Sequence, residues 1–323
     1  MEKHKVTYLL RITPELLEII RGQVPAELDF HYPSDWSPES LHRMLADSEF
    51  VVASSLNGAA IAAAPRLRLI QLSGIGSEKV DIQAARAAGI TVASTPEGNV
   101  VPVAEHVMAL TLAVYRRLID CHLSMRRGEW QMMGFRHLCH ELAGRKVGIV
   151  GLGRIGKAVA KRMVAFEAAV SYFDAIRLAP DEEAAQGVTF EPLPALLASS
   201  ELLTLHVPLD NTTRRLLDRD RIFAMRPGSV LINTCRGEVV DEKALYEALA
   251  SGHLSGAGLD VFENEPPNPN NPLFQLENVV LTPHCASGTR ESHAEKATAA
   301  FANMLRFLRG EPLRNMIVAG TRT

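Results

Sequence analysis

The sequence predicts an α/β protein whose parallel strands carry helices on both faces. Three observations lead to this. In the first hundred residues short apolar runs alternate with segments whose apolar positions recur at helical spacing. A second series of the same kind starts at Lys146 and ends near Thr282. Where it starts, a glycine run, Gly151-Leu152-Gly153-Arg154-Ile155-Gly156, stands between an apolar run and a helical one. Alternation of this type argues for parallel strands, because each helix carries the chain back to the end where the next strand begins.

In chain order, the runs Val6–Leu10, Glu49–Ala53, Leu67–Leu72 and Ile90–Val92 read as strands, and Pro14–Arg21, Pro38–Ala46 and Lys79–Ala88 as helices. Thr13-Pro14 and Ser37-Pro38 look like helix starts, with a hydroxyl that can cap and a proline in the first turn. One long helix is expected over Val101–Arg127, with apolar residues at Val103, Val107, Leu110, Val114 and Leu118. A segment of that length often bridges domains or packs on a second subunit. Lys146–Val150 opens the second series, and Thr289–Leu308 reads as a closing helix. The Pro- and Asn-rich stretch Asn264–Pro272 reads as a surface loop.

At 323 residues the chain has room for two domains of ordinary size. Hydrophobic residues make up 47% and charged residues 22%, a globular balance. A net charge of -3 gives no general attraction for nucleic acid or anionic membranes. The pairs Arg116-Arg117 and Arg126-Arg127 read as a solvated or subunit-facing helix side, since no aromatic residues are interleaved with them. No apolar run is long enough to span a bilayer, and the stretch after Met1-Glu2-Lys3-His4-Lys5 is too brief for a signal-peptide core. Cys121, Cys139, Cys235 and Cys285 are irregularly spaced, which suggests reduced thiols and a cytoplasmic location. His137-Leu138-Cys139-His140 has no second ligand pair at zinc-finger spacing, so no metal is expected.

The glycine run has the form of a dinucleotide fingerprint. Gly151 suits a tight turn, Gly153 lets amides approach a pyrophosphate, and Gly156 allows close helix–strand packing. The helix starting just after it, with Arg154 and Ile155 in the run, would offer free N–H groups to the phosphates. Val170-Ser171-Tyr172-Phe173 then ends in Asp174, the acid expected on the adenosine ribose. A carboxylate there disfavours the 2′-phosphate of NADP, so NAD is expected and NADP less so, although Arg177 lies near.

Three polar residues come just after strand-like runs: Arg236 after Ser229–Asn233, Glu265 after Gly256–Val261, and His284 after Val279–Thr282. Open α/β sheets bind ligands beyond the carboxyl ends of their strands. Alone, such an Arg or His would more often be an ion-pair member or a hydrogen-bonded loop residue. An Arg, a Glu and a His together, downstream of the fingerprint, read as a reaction site.

These residues resemble the D-isomer-specific 2-hydroxyacid dehydrogenases over nearly the whole chain. The resemblance runs from Gly74-Ile75-Gly76 and Val80-Asp81 through Thr95-Pro96 and Ala104-Glu105-His106 to the fingerprint. It continues through Leu205-His206-Val207-Pro208-Leu209, Met225-Arg226-Pro227-Gly228 and Asn233-Thr234-Cys235-Arg236-Gly237. Val240-Asp241-Glu242, Gly258–Glu263 and Thr282-Pro283-His284 complete it. It implies two Rossmann-like, doubly wound domains, with an NAD domain (99–285) inserted into a flavodoxin-like substrate domain (1–98 plus 286–323). Substrate would lie in the cleft between them, closed by a hinge. A homodimer through the Val101–Arg127 region is implied as well.

For a 2-oxo acid the roles follow from charge. Arg236 would grip the carboxylate and polarise the ketone oxygen. His284 would exchange a proton with that oxygen, and Glu265, the acid directly before Pro266 and preferred over Glu263, would favour the charged imidazole. Ser73, Gly74, Ile75 and Gly76 would hold the substrate, with the amides near Ile75 and Gly76 on its carboxylate. By the same resemblance Asp260 would orient the nicotinamide carboxamide, with His206, Val207, Pro208, Thr213, Thr234 and Cys235 by the cofactor; Thr213 reads equally well as a turn residue. The loop ends in Glu78 where many relatives carry Asp, Tyr or Asn. Cys235 and Cys285 adjoin catalytic positions, and inert thiols are favoured over an oxidation-sensitive pair. The substrate expected is a small acid such as glyoxylate or hydroxypyruvate, with phosphoglycerate dehydrogenase close in function. A rival reading is an NAD-sensing binding protein resembling the transcriptional C-terminal binding proteins; formate dehydrogenase is weaker still.

Overall fold

In the computed structural model, residues 3–322 are described; Met1, Glu2 and Thr323, the outermost residues of the expected substrate domain, lie outside that range. The chain divides into two units, Met1–Asn99 with Gly288–Thr323, and Val100–Ser287. The junctions expected from the sequence were 98–99 and 285–286.

The first unit contains β1 (His4–Leu9), α1 (Pro14–Arg21), β2 (Leu28–His31), α2 (Pro38–Ala46), β3 (Phe50–Ala53), α3 (Gly58–Ala62), β4 (Leu69–Leu72), α4 (Ile82–Ala87) and β5 (Thr91–Ala93). Thr13 and Ser37 accept from the amides of Leu16 and Ser40, capping the two helices that begin with proline. The Lys79–Ala88 segment becomes helical only at Ile82, because the Asp81 carboxylate caps the Ala84 amide while Val80 pairs with Leu56.

The second unit holds α5 (Val100–Tyr115), α6 (Leu118–Arg126), β6 (Lys146–Val150), α7 (Arg154–Ala165), β7 (Ala169–Phe173), α8 (Pro180–Gln186), β8 (Val188–Phe190), α9 (Leu193–Ser199) and β9 (Leu202–Leu205). It ends with α10 (Arg219–Phe223), β10 (Val230–Asn233), α11 (Glu242–Ala250), β11 (Gly256–Leu259) and β12 (Val279–Leu281). The chain returns to the first unit with α12 (Arg290–Leu308), capped by Thr289, and β13 (Met316–Val318).

The expectation of one unbroken helix over Val101–Arg127 is corrected. The helix stops at Tyr115, and Arg117 takes a left-handed conformation at φ 49 before α6 begins. Apolar periodicity runs through the break, so composition does not reveal it. β2, α3 and β13 were also not anticipated, being three to five residues long with little periodicity of their own.

In the first unit the sheet order is β2-β1-β3-β4-β5-β13, parallel except for antiparallel β13. Its parallel part is the flavodoxin-like order 2-1-3-4-5. One face packs Leu45, Ile61, Leu67 and Ile90, and the other packs Tyr8, Phe50, Phe301 and Met304. Buried Gln71 of β4 donates to Thr95 Oγ1 at 2.7 Å and accepts from Asn303 of α12 at 3.1 Å. Asn303 also bonds the Arg314 backbone, tying α12 and the segment before β13 to the sheet.

In the second unit all seven strands are parallel, in the order β8-β7-β6-β9-β10-β11-β12. Renumbered from β6 this is 3-2-1-4-5-6 with one further strand, the Rossmann order. Its continuous apolar strands fit a sheet covered on both faces. Met108, Met163 and Tyr172 lie in the core of one face, Leu196, Leu245 and Leu273 in that of the other.

Candidate active site

The register of the second sheet aligns the residues singled out in the sequence. Phe173 pairs with Val150, Val150 with Leu205, Leu205 with Asn233, Asn233 with Leu259, and Leu259 with Leu281. These six form one row at the carboxyl edge. Gly151, Asp174, His206, Thr234 and Asp260 leave the sheet one step beyond it, Arg236 and His284 three steps beyond.

At Gly151 the backbone turns with φ 92, and a Cβ there would stand 2.6 Å from the His206 carbonyl oxygen. A Cβ on Gly156 would meet the Gly151 oxygen at 2.1 Å, so α7 and β6 approach more closely than any side chain permits. Gly153 has open space instead, and it starts α7 without a side-chain cap. The first turn of this twelve-residue helix therefore carries neither a side-chain cap nor an acidic residue of its own. Asp174 accepts from Leu152 N at 2.6 Å and Ile176 N at 3.1 Å, which fixes its carboxylate beside the glycine turn. Arg177 is engaged elsewhere: it forks onto Glu183 at 2.9 and 3.2 Å and lies over the Phe190 ring.

His206 donates its amide to Val150 O at 2.7 Å, and its Nε2 lies 3.0 Å from Thr204 Oγ1. Burial pulls this imidazole down to about 3, so it is neutral at any ordinary pH. Val207 approaches Gly151 as well. Pro208 accepts a hydrogen bond from the Thr213 hydroxyl at 2.6 Å, so that hydroxyl closes the local turn. Thr234 Oγ1 is buried with no hydrogen-bond partner among the described residues, a polar atom awaiting one. Burial pushes the Cys235 thiol up to about 11 and also raises that of Cys285, where Asp260 adds to the effect; neither is a ready thiolate near neutrality.

His284 Nδ1 lies 2.8 and 3.0 Å from the two Glu265 oxygens. Nε2 is the ring nitrogen left for another partner. The neighbouring acid, Glu263, pairs with Arg215 at 3.1 Å. His284 has φ 50, and its amide donates to Asp260 O at 2.8 Å. Asp260 is wholly buried, its carboxylate accepting from Thr282 Oγ1 at 2.6 Å and from the amides of Cys285 and Ala286 at 2.9 Å. One buried aspartate thus anchors both sides of the histidine turn.

Arg236 is placed by Asn233 and Gly237, two residues that the sequence offers within a motif but without a role. Buried Asn233 donates to the Arg236 carbonyl at 3.0 Å and accepts from the Cys235 amide at 3.1 Å. A Cβ on Gly237 would lie 1.9 Å from Phe262 C, so the backbone after Arg236 abuts the chain leading to Glu265. Arg236 Nη1 donates to Cys235 O at 2.7 Å. His106, 3.0 Å from Thr282 Oγ1, was quoted in a motif without a role; only the folded contact reveals one.

Ser73–Gly76 belong to the first unit, where they follow β4. Ser73 donates to Ala53 O and Gly74 accepts from the Thr95 amide. Ile75 is half exposed, and among the described residues no hydrogen bond is donated by the amides of Ile75 or Gly76.

A parallel sheet in this order, with an open glycine turn at a helix N-terminus and an acid ending the next strand, defines a dinucleotide-binding domain. Residues 108–286 match the family model described as D-isomer specific 2-hydroxyacid dehydrogenase, NAD binding domain. The chain is 40% identical over 257 residues to a glyoxylate reductase of Korarchaeum cryptofilum, covering 79% of this chain and 77% of that one. It is 38% identical over 317 residues to a D-3-phosphoglycerate dehydrogenase of Archaeoglobus fulgidus, covering 97% of this chain but only 59% of that longer relative. A crystal structure of a Thermus thermophilus protein superposes with a TM-score of 0.85 at 35% identity, covering 97% of this chain and 100% of that one. The chain belongs to the D-isomer-specific 2-hydroxyacid dehydrogenases, NAD-dependent oxidoreductases of small 2-hydroxy and 2-oxo acids. Among the described residues no helix is long and apolar enough to cross a membrane.

Proposed function

We propose that the chain reduces a small 2-oxo acid of the glyoxylate or hydroxypyruvate type to the D-2-hydroxy acid, reversibly, with Arg236, His284 and Glu265 as its catalytic residues. The observation that carries this is the His284–Glu265 pair, 2.8 Å apart, beside the edge at which Arg236 also leaves the sheet. NADH, when bound, supplies the hydride to the carbonyl carbon. Arg236 holds the substrate and draws charge onto the ketone oxygen. His284 gives that oxygen a proton from Nε2 and retrieves one in the reverse direction. Glu265 on Nδ1 fixes the ring and stabilises its charged form. The undonated amides of Ile75 and Gly76, in the Ser73–Gly76 loop, are assigned to the substrate carboxylate.

The open turn at Gly153, with Gly151, Gly156 and the first helical residues Arg154 and Ile155, suits a pyrophosphate. Asp174 takes the ribose, and His206, Val207, Pro208 and Thr213 line the cofactor. Thr234, with its orphan hydroxyl, Cys235 and Asp260 take the nicotinamide end. NAD is favoured over NADP because Asp174 repels a 2′-phosphate and Arg177 is already forked onto Glu183. We assign the exposed apolar residues of α6 and the segment after it to a homodimer contact.

The test is NADH oxidation with a panel of glyoxylate, hydroxypyruvate, pyruvate, phenylpyruvate and phosphohydroxypyruvate, NADPH in parallel. One of the first two acids is expected to turn over fastest. Arg236→Ala should lose about 10²-fold or more in kcat/KM while still binding NADH. Normal turnover in that variant would remove Arg236 from the mechanism.

A further inference from the structure

Beneath the histidine turn lies a second group of side chains that hydride transfer does not use as a set. His106 of α5, Asp260 after β11 and Cys285 next to His284 bring a ring nitrogen, a carboxylate oxygen and Sγ within 4.8 Å of one another. We propose that these three side chains form a binding site for a borderline-soft divalent cation of the zinc type.

Imidazole, carboxylate and thiolate are the ordinary donors of zinc, the Cys285 thiol releasing its proton to solvent as the metal binds, and three protein ligands leave one position for water. Calcium and magnesium prefer oxygen alone, so this donor set selects against them. His106 Nε2 and Asp260 Oδ1 are 3.5 Å apart. Two such atoms, each about 2.0 Å from a tetrahedral zinc, stand about 3.3 Å from one another, so this pair needs almost no movement. Cys285 is exposed, which gives the ion a way in and lets the sulfur swing to complete the set.

At present the Thr282 hydroxyl bridges the pair, 2.6 Å from Asp260 Oδ1 and 3.0 Å from His106 Nε2. The cation would replace that bridge. The Ala286 amide on Oδ2 and the Cys285 amide on Oδ1, each at 2.9 Å, would keep the carboxylate oriented, and Oδ1 would offer the metal the lone pair that Thr282 now occupies. The ligands lie at positions 106, 260 and 285 on three separate segments, which is why spacing in the sequence gives no hint of them.

A functional consequence rests on the assignment of Asp260 to the nicotinamide. A carboxylate held by zinc no longer serves the cofactor, so zinc inhibits in competition with NADH. Zinc affinity of the full chain is measured by competition with a chromophoric chelator, in the wild type, Cys285→Ser and His106→Gln. One zinc should bind per wild-type chain, and each substitution should weaken it about tenfold or more. As a reading on unaltered protein, zinc should also slow alkylation of Cys285, located by peptide mass. No binding, equal affinity in all three proteins, or unprotected Cys285 would overturn the site. Zinc that binds as expected while leaving the KM for NADH unchanged upholds the site and overturns the role given to Asp260, so the two failures are distinct.

Discussion

His284 occupies a left-handed backbone position, φ 50, that a residue with a side chain takes at a cost of about 1 kcal/mol or more. Its amide on Asp260 O, and the Asp260 carboxylate on the next two amides, hold the turn in that shape. The fixed turn aims Nδ1 at Glu265. Glu265→Gln keeps the shape of that contact and removes its charge. We expect kcat to fall about 10²-fold with NADH affinity unchanged, measured by steady-state kinetics and cofactor titration. An unaltered kcat would exclude Glu265 from proton transfer. In the sequence Glu263 and Glu265 were separated only by the position of a proline; the pairing of Glu263 with Arg215 separates them physically.

At the scale of elements, α12 carries a lysine whose proton affinity the fold lowers, with Glu295 offsetting part of the effect. Burial lowers Lys296 from 10.5 to about 8. Below pH 8 the residue is charged in both the folded and unfolded states, so the cost of burying the charge is fully present. Between about 8 and 10.5 the unfolded chain binds the extra proton, and stability contributed here rises with pH until that cost is gone. Any advantage in Tm of Lys296→Met over the wild type should therefore shrink as the pH rises from about 8 to 10.5, as thermal melts across that range would show. A constant advantage at every pH would point to packing alone. The α5–α6 break is an element-scale event of another kind: Arg117 turns left-handed and pairs with Asp120 at 2.7 Å, ending a periodicity that the sequence carries straight through.

At the scale of the molecule, α6 and the following segment expose Leu118, Leu123, Met125, Trp130 (76%) and Met133 (63%), large apolar side chains close together in the sequence, of the kind a protein contact covers. Light scattering should give the mass of two 35.3 kDa chains at micromolar concentration, and Leu123→Lys should shift it toward one. A single-chain mass in the wild type would rule this contact out. α5, by contrast, is largely buried within its own unit, so the exposed apolar face begins after the break at Arg117 rather than along the whole expected helix.

The sequence by itself determined the α/β class and the nucleotide turn, and it supplied a short list of candidate reacting groups. Each depends on local facts: apolar periodicity within one element, glycines at fixed spacing, a polar residue just past a strand. What the tertiary structure decided is relational. Only strand register sets Phe173, Val150, Leu205, Asn233, Leu259 and Leu281 in one row, because pairing partners are chosen by packing across tens of residues. Only folding occupies Arg177 with Glu183, joins β13 to β5, and lays His106 against Thr282 and Asp260. Contacts between distant segments have no period to read, and so they became visible only with the fold.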